Sequence, residues 1–193
     1  MSGARTLPTP RVLDGRQASR VDALVDGALV ELRRHGYEGL TVRNAAKRAG
    51  VAAATAYAYF GSKDHLVAEV FRRRLEALPP VVVDGRRSPV NRVTSVLREL
   101  ALSVAEEPEL AAASTTAVLA TDPDVQRLRG RVGAVFNDRL VAALGEGHDP
   151  AVLRALNLAL AGGLLQAGMG YFSYTDLADR LAEVAEVVLG GRR

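Results

Sequence analysis

The segment LTVRNAAKRAGVAAATAYAYFGSKDHL, residues 40–66, decides how the chain is read. Thr41 is placed to cap a short helix over 42–49 that Gly50 closes, and a second short helix over 53–59 follows after only Gly50-Val51-Ala52. Ser62 then caps a third helix, with Asp64 in the first turn, where a negative charge suits the helix dipole. Two short helices joined by a glycine-bearing turn make a helix-turn-helix candidate. On a helical wheel the second one divides its work. Ala56 and Phe60, with Val51, Ala45 and Ala46, point to a small core between the helices; Thr55 and Tyr59 offer hydroxyls on another face; Ala53, Ala54, Tyr57 and Ala58 share a third. Tight packing alone would also explain alanine here. Yet two tyrosines, Thr55 and Lys63 would be a polar choice for a buried contact, because each buried hydroxyl needs a partner.

Before this segment, Val21, Leu24, Val25, Ala28, Leu29 and Leu32 repeat at helical spacing over 21–34, with Ser19 as the expected cap and Gly36 as the stop. Residues 1–18 read as a loose basic arm. The first twenty residues carry Pro8, Pro10 and the arginines Arg5, Arg11, Arg16 and Arg20, and lack the apolar run of a signal peptide. Beyond Arg74 five longer helices are expected, over 89–105, 108–120, 123–144, 150–171 and 175–189. Four of them open with proline, after Ser88, Glu107, Asp122 or Asp149. The one run of β-branched residues, Val81-Val82-Val83, is boxed in by Pro79-Pro80 and Asp84-Gly85. The expected fold is all-α, about nine helices by periodicity. It divides into the arm at 1–18, a helix-turn-helix unit at 19–74 and a larger helical unit at 75–193.

Charge divides in the same place. Residues 1–74 hold 13 basic and 7 acidic side chains, net +6; residues 75–193 hold 12 and 15, net −3. A basic amino-terminal part on an acidic remainder points the first part, not the second, at a polyanion. The chain has no cysteine, which excludes disulfides, thiol catalysis and cysteine-ligated metals, and fits a cytoplasmic protein. The most apolar window, 155–172, is interrupted by Asn157 and Gln166 and reads as a buried helix, not a membrane span. Within it Leu156, Leu160 and Leu164 form one stripe and Ala159, Gly163 and Ala167 a small-residue stripe beside it. Leu177, Leu181, Val184 and Val188 follow a bundle-like spacing in the last helix. These stripes suit an intramolecular core and a second copy of the chain equally well.

The pattern Thr41-Val-Arg43, Ala46, Ala49-Gly50-Val51, Thr55-Ala-Tyr57-Ala-Tyr59-Phe60-Gly-Ser62-Lys63, Leu66 resembles the DNA-binding domain of the TetR family of transcriptional repressors, in order and spacing, over about residues 20–70. The resemblance implies a repressor that binds a palindromic operator of double-stranded DNA as a homodimer. The dimer would form through the carboxy-terminal helices, 150–189, and a small molecule bound in the larger unit would release it. Carried over by position, Thr41, Thr55, Tyr57, Tyr59 and Lys63 resemble phosphate-contacting residues, while Arg43, Ala53, Ala54, Tyr57 and Ala58 resemble those nearest the bases. The sequence departs from the pattern at Ala52, where a capping serine or threonine is usual, at Ala56, usually leucine, and at Ala53, Ala54 and Ala58, which carry no polar head. Alanine can still touch a thymine methyl, and arginine reads guanine bidentately, so specificity is expected to concentrate on Arg43.

Other chemistries find little in the sequence. His35, His65 and His148 lie in separate segments without carboxylate partners at metal-ligand spacing, so no metal or cofactor site is expected and the chain does not read as an enzyme. Gly61-Ser62-Lys63 lacks the strand and earlier glycine of a phosphate loop. Arg72-Arg73-Arg74 reads as a solvated helix face, and Glu106, Glu107 and Glu109 as helix-start residues. For the effector, Leu102, Ala111, Ala112, Ala113, Leu119 and Phe136 are conceivable walls of a pocket for a small, mostly apolar molecule. The alternative is a helical ligand-binding or scaffolding protein with non-specific DNA affinity alone. Salt-sensitive binding without sequence preference would distinguish it.

Overall fold

The computed structural model describes residues 15–190, which form nine helices and no strand. They are α1 (Gly15–Gly39), α2 (Val42–Arg48), α3 (Ala53–Tyr59), α4 (Lys63–Glu76), α5 (Pro89–Leu102), α6 (Pro108–Ala117), α7 (Pro123–Leu144), α8 (Pro150–Gly168) and α9 (Tyr174–Gly190). Residues 1–14 of the predicted basic arm lie outside the described residues. Gly15 to Ala18 belong to α1, so Ser19 is an interior helix residue and not its cap. Gly36 does break the helix, at φ 62°, a conformation only glycine adopts without strain.

The other starts follow the caps. Ser62 accepts from the His65 amide, Ser88 from Asn91, Asp122 from Asp124 and Asp149 from Ala151. Proline follows the last three, where its missing N–H has no bond to lose. Glu107 precedes α6 without capping it; its carboxylate accepts instead from Arg33 of α1. The ends of α5, α6 and α8 fall about three residues short of expectation. At the end of α5 the Ser103 hydroxyl donates to the Leu100 carbonyl at 2.8 Å, taking a bond the helix would have used; after α8 the chain turns at Gly170, φ 82°.

One apolar cluster runs through the molecule, from Val21, Leu24 and Leu32 in α1, through Ala45, Ala56 and Phe60, to Leu156, Leu177 and Leu181. α4 links its two ends: it packs on α1 and also on α6 and α7, and buries Leu66, Val67, Val70, Phe71 and Leu75. α5 lies along α9, and α8 packs on α9, α7 and α6.

α8 is apolar and long enough to cross a membrane by length and composition, and only 22% of that stretch is buried. The expected buried helix is therefore buried along one face: Val152, Leu156, Leu160 and Ala167. The small-residue stripe lies on the inner side. A Cβ on Gly163 would meet Leu177 Cδ1 of α9 at 2.4 Å, and one on Gly168 would meet Thr115 of α6. The outward apolar residues are others: Leu158 at 74% exposure, Ala161 and Met169.

Candidate functional site

Small side chains set the geometry of α1, α2 and α3. Ala45, Ala46 and Ala56 are buried with Phe60 between the helices, as the wheel predicts, and Ala56 leaves no gap to solvent. A Cβ on Gly27 of α1 would lie 2.8 Å from the Ala45 carbonyl oxygen, so hydrogen is the side chain that lets α1 and α2 approach this closely. Glu31, 5% exposed, accepts from Arg48 Nε and ties the carboxy end of α2 to α1.

The start of α2 is a capping box. The Asn44 amide donates to Thr41 Oγ1 at 3.0 Å and the Thr41 amide to Asn44 Oδ1 at 2.8 Å. The Thr41 hydroxyl accepts that bond and keeps its own proton to donate. Ala52 has the extended backbone of a cap, φ −60° and ψ 137°, but no side-chain bond to offer α3.

Thr41, Arg43, Ala54, Tyr57 and Ala58 are exposed, while Ala53, Thr55, Tyr59 and Lys63 are half-buried. Thr41, Arg43 and Ala53 come together in one surface concavity of about 430 Å³, which Asn44 and Lys47 also line. The other candidates lie outside it. Lys47, one helical turn after Arg43, adds a second exposed cation to this surface; the i, i+4 spacing is its signal in the sequence. Lys63 is engaged by the protein itself: Nζ donates to the Tyr37 carbonyl at 3.2 Å, stands 3.9 Å over the Tyr37 ring and lies 3.8 Å from the Glu38 carboxylate. The Tyr37 hydroxyl donates to Asp64, and burial together with that bond holds it far above its ordinary pKa.

This arrangement has counterparts. The family model described as bacterial regulatory proteins, tetR family, matches residues 24–70, the span from mid-α1 into α4. An uncharacterized HTH-type transcriptional regulator of Mycobacterium tuberculosis is 46% identical over 178 residues, covering 91% of this chain and 83% of that protein. The chain belongs to the TetR family. The HTH-type transcriptional repressor KstR of Rhodococcus jostii is 29% identical over 198 residues, covering 97% of this chain and 91% of that one. A crystal structure of a TetR transcriptional regulator from Rhodococcus sp. RHA1 shares the fold, with a TM-score of 0.75 at 23% identity over 92% of this chain and 99% of that one. The chain is thus a helix-turn-helix transcriptional regulator.

In this TetR regulator the run Arg72-Arg73-Arg74 is solvated only in part: Arg72 and Arg73 are half-buried, Arg74 is exposed, and all three are engaged. Arg72 and Arg73 both donate to Glu69, Arg72 also pairs with Glu76, Arg73 reaches Asp22 of α1 at 2.5 Å, and Arg74 Nε donates to the Ser103 carbonyl at 3.0 Å. Burial works to raise the Glu69 carboxyl, but the hydrogen bonds and charges of Arg72 and Arg73 outweigh it and hold it below its ordinary pKa. The set fastens α4 to α1 on one side and to the end of α5 on the other. Glu69 and Glu76 lie three or four residues from Arg72 and Arg73, a spacing the sequence carries, whereas Asp22 and Ser103 are distant in sequence and leave no linear signal. His65, in the first turn of α4, lies edge-on to Phe60 with ring centroids 5.2 Å apart; its burial lowers its pKa.

Further along the body a cavity of about 490 Å³ lies between α4, α6, α7 and α8. Ala111, Leu119 and Phe136 line it as expected, whereas Leu102, Ala112 and Ala113 do not: Ala113 is wholly in the core and Ala112 faces out. Phe71 of α4 forms part of the wall.

Proposed function

We propose that this regulator represses transcription by binding a palindromic operator as a homodimer, and that a small, mostly apolar molecule in the cavity releases it. The observation that carries the proposal is the position of α4. His65 in its first turn packs edge-on against Phe60 at the end of α3, and two turns later Phe71 walls the cavity. A guest that displaces Phe71 tilts a rigid helix whose other end holds the reading surface. The dimer's recognition helices need a separation of roughly 34–36 Å to match successive major grooves, and ligand shifts the population toward a shape that does not match.

Residues 19–74 form the reading unit and 75–193 the effector and dimer unit in this proposal. Thr41, Thr55, Tyr57 and Tyr59 hold phosphates, and the exposed alanines Ala54 and Ala58 let α3 approach the groove floor beside Ala53. Lys63 is reassigned: its ammonium braces Tyr37 and Glu38, so its phosphate role is secondary to positioning α4. Arg43, with Lys47 beside it, supplies the base reading. The homodimer forms through 150–189, where Leu158 and Ala161 of α8, which also border the cavity, and Met169 just after it are outward apolar residues that a second copy would cover.

Selection of bound duplexes from a random pool tests the reading. A palindromic consensus is expected; an unenriched pool, with binding that falls steeply with salt, would replace it with the non-specific scaffold. On the selected operator Arg43→Ala is expected to cost ~1–3 kcal/mol, with a much smaller loss on random duplex.

A further inference from the structure

The cavity is apolar along almost all of its wall, with Phe71, Val104, Val132, Phe136 and Leu165 among the side chains that bound it. Four of its residues carry polar groups, Ser114, Thr115, Arg129 and Tyr174, and two of these stand out. Arg129 of α7 is the one charged residue among those described that line it. It is exposed at the rim, its guanidinium donates to the Ala120 carbonyl at 3.2 Å, and no carboxylate among the described residues lies within ion-pair distance of it. Its neighbour Arg127, by contrast, is paired with Asp124. The second is Ser114 of α6, 5% exposed, whose hydroxyl has no hydrogen-bond partner, although the adjacent Thr115 hydroxyl donates to the Ala111 carbonyl at 3.1 Å. A buried hydroxyl left unpaired by the protein is the kind of group an occupant satisfies. No acidic residue stands among the described lining residues, so the cavity presents an apolar interior and a rim of positive sign.

Resting on the reading that this cavity takes the effector, we infer that the effector is an amphiphilic anion: an apolar body inside, and a carboxylate head at the rim on Arg129. A guanidinium binds a carboxylate through two parallel N–H bonds, and its hold is stronger where apolar walls exclude water. A neutral apolar guest would leave that cation unused. A cationic one would face it.

Calorimetric titration of the full-length protein with dodecanoate, 1-dodecanol and dodecyltrimethylammonium separates the two levels of the inference. Dodecanoate is expected to bind at least tenfold more tightly than dodecanol, and dodecyltrimethylammonium more weakly than either. In Arg129→Met, which keeps the stem and removes the charge at an exposed position, the advantage of the acid over the alcohol should disappear while dodecanol binding is retained. A thermal melt of the variant confirms that it folds. Equal affinity for acid and alcohol in the unsubstituted protein, or an undiminished preference in Arg129→Met, overturns the anionic head group and leaves the apolar cavity standing. Failure of all three probes to bind removes the cavity reading and this inference with it.

Discussion

Ala54 and Ala58 in α3 face outward with no neighbour over them, whereas Gly163 and Gly168 in α8 lie so close to Leu177 and Thr115 that a Cβ on either would have to displace them. Both helices are rich in small residues; in α8 smallness permits close approach, and the proposed function gives it the same use in α3. In α8 the approaching body is another helix of the same chain and is already in place. In α3 the small residues leave a shallow exposed surface, which the proposed function assigns to DNA. The comparison teaches that a small residue signals proximity without saying to what.

The covered side of the comparison breaks most sharply. Gly168→Ala puts a Cβ 1.8 Å from Thr115 Oγ1 and under 3 Å from Thr115 Cβ and Cγ2, and Thr115 is a short branched side chain with little room to yield. We expect a loss of ~1–3 kcal/mol in urea unfolding, the usual cost of overpacking. The double variant with Thr115→Ala should recover most of it; no recovery would mean that the helix end and not the contact sets the cost.

A smaller effect of opposite sign is expected at the border of the open side. Ala52 has the extended backbone of a cap and no side-chain oxygen, so Ala52→Ser should add about 1 kcal/mol of stability. A melting temperature no higher than the original would show that the α3 amides are already satisfied.

On the open face itself, Ala58→Leu should change stability by less than ~0.5 kcal/mol, as surface substitutions do, while weakening binding to the selected operator. If it unfolds the protein instead, Ala58 is covered and the contrast with α8 collapses. Least of all is the pH effect of His65. Its folded pKa is lowered by burial, so the unfolded chain binds more protons in the window below the ordinary histidine value. The neutral ring contributes stability above that value, and this is lost as pH falls through the folded pKa. A shallow decline in melting temperature from pH 7.5 to 5 should flatten in His65→Gln.

The starts of α2, α4, α5, α7 and α8 were legible because each is written locally, in a cap residue and, in the last three, a proline beside it; α1 begins before its expected cap at Ser19. The core between α2 and α3 was legible for the same reason, since Ala56 and Phe60 lie four residues apart. Helix ends depend on which donor takes the last carbonyls, and the bond from Ser103 to Leu100 has no strong sequence mark. The links of α4 to Asp22 and to the Ser103 carbonyl span dozens of residues, and so the engagement of Arg73 and Arg74 across helices was not legible. At the candidate site, Arg43 and Tyr57 are exposed as their helix positions imply; the engagement of Lys63 by Tyr37 required the turn at Gly36 to be known in three dimensions.

The burial of α4 on two sides bears on how such a protein can be recombined. A chimera that joins residues 15–76 to a foreign body would expose Val70, Phe71 and Leu75, and would strand Arg74 without the Ser103 carbonyl. On the proposed function the transferable piece is therefore the surface of α2 and α3, exchanged residue by residue on a fixed frame, and new operator preferences would be reached by rewriting that surface in place.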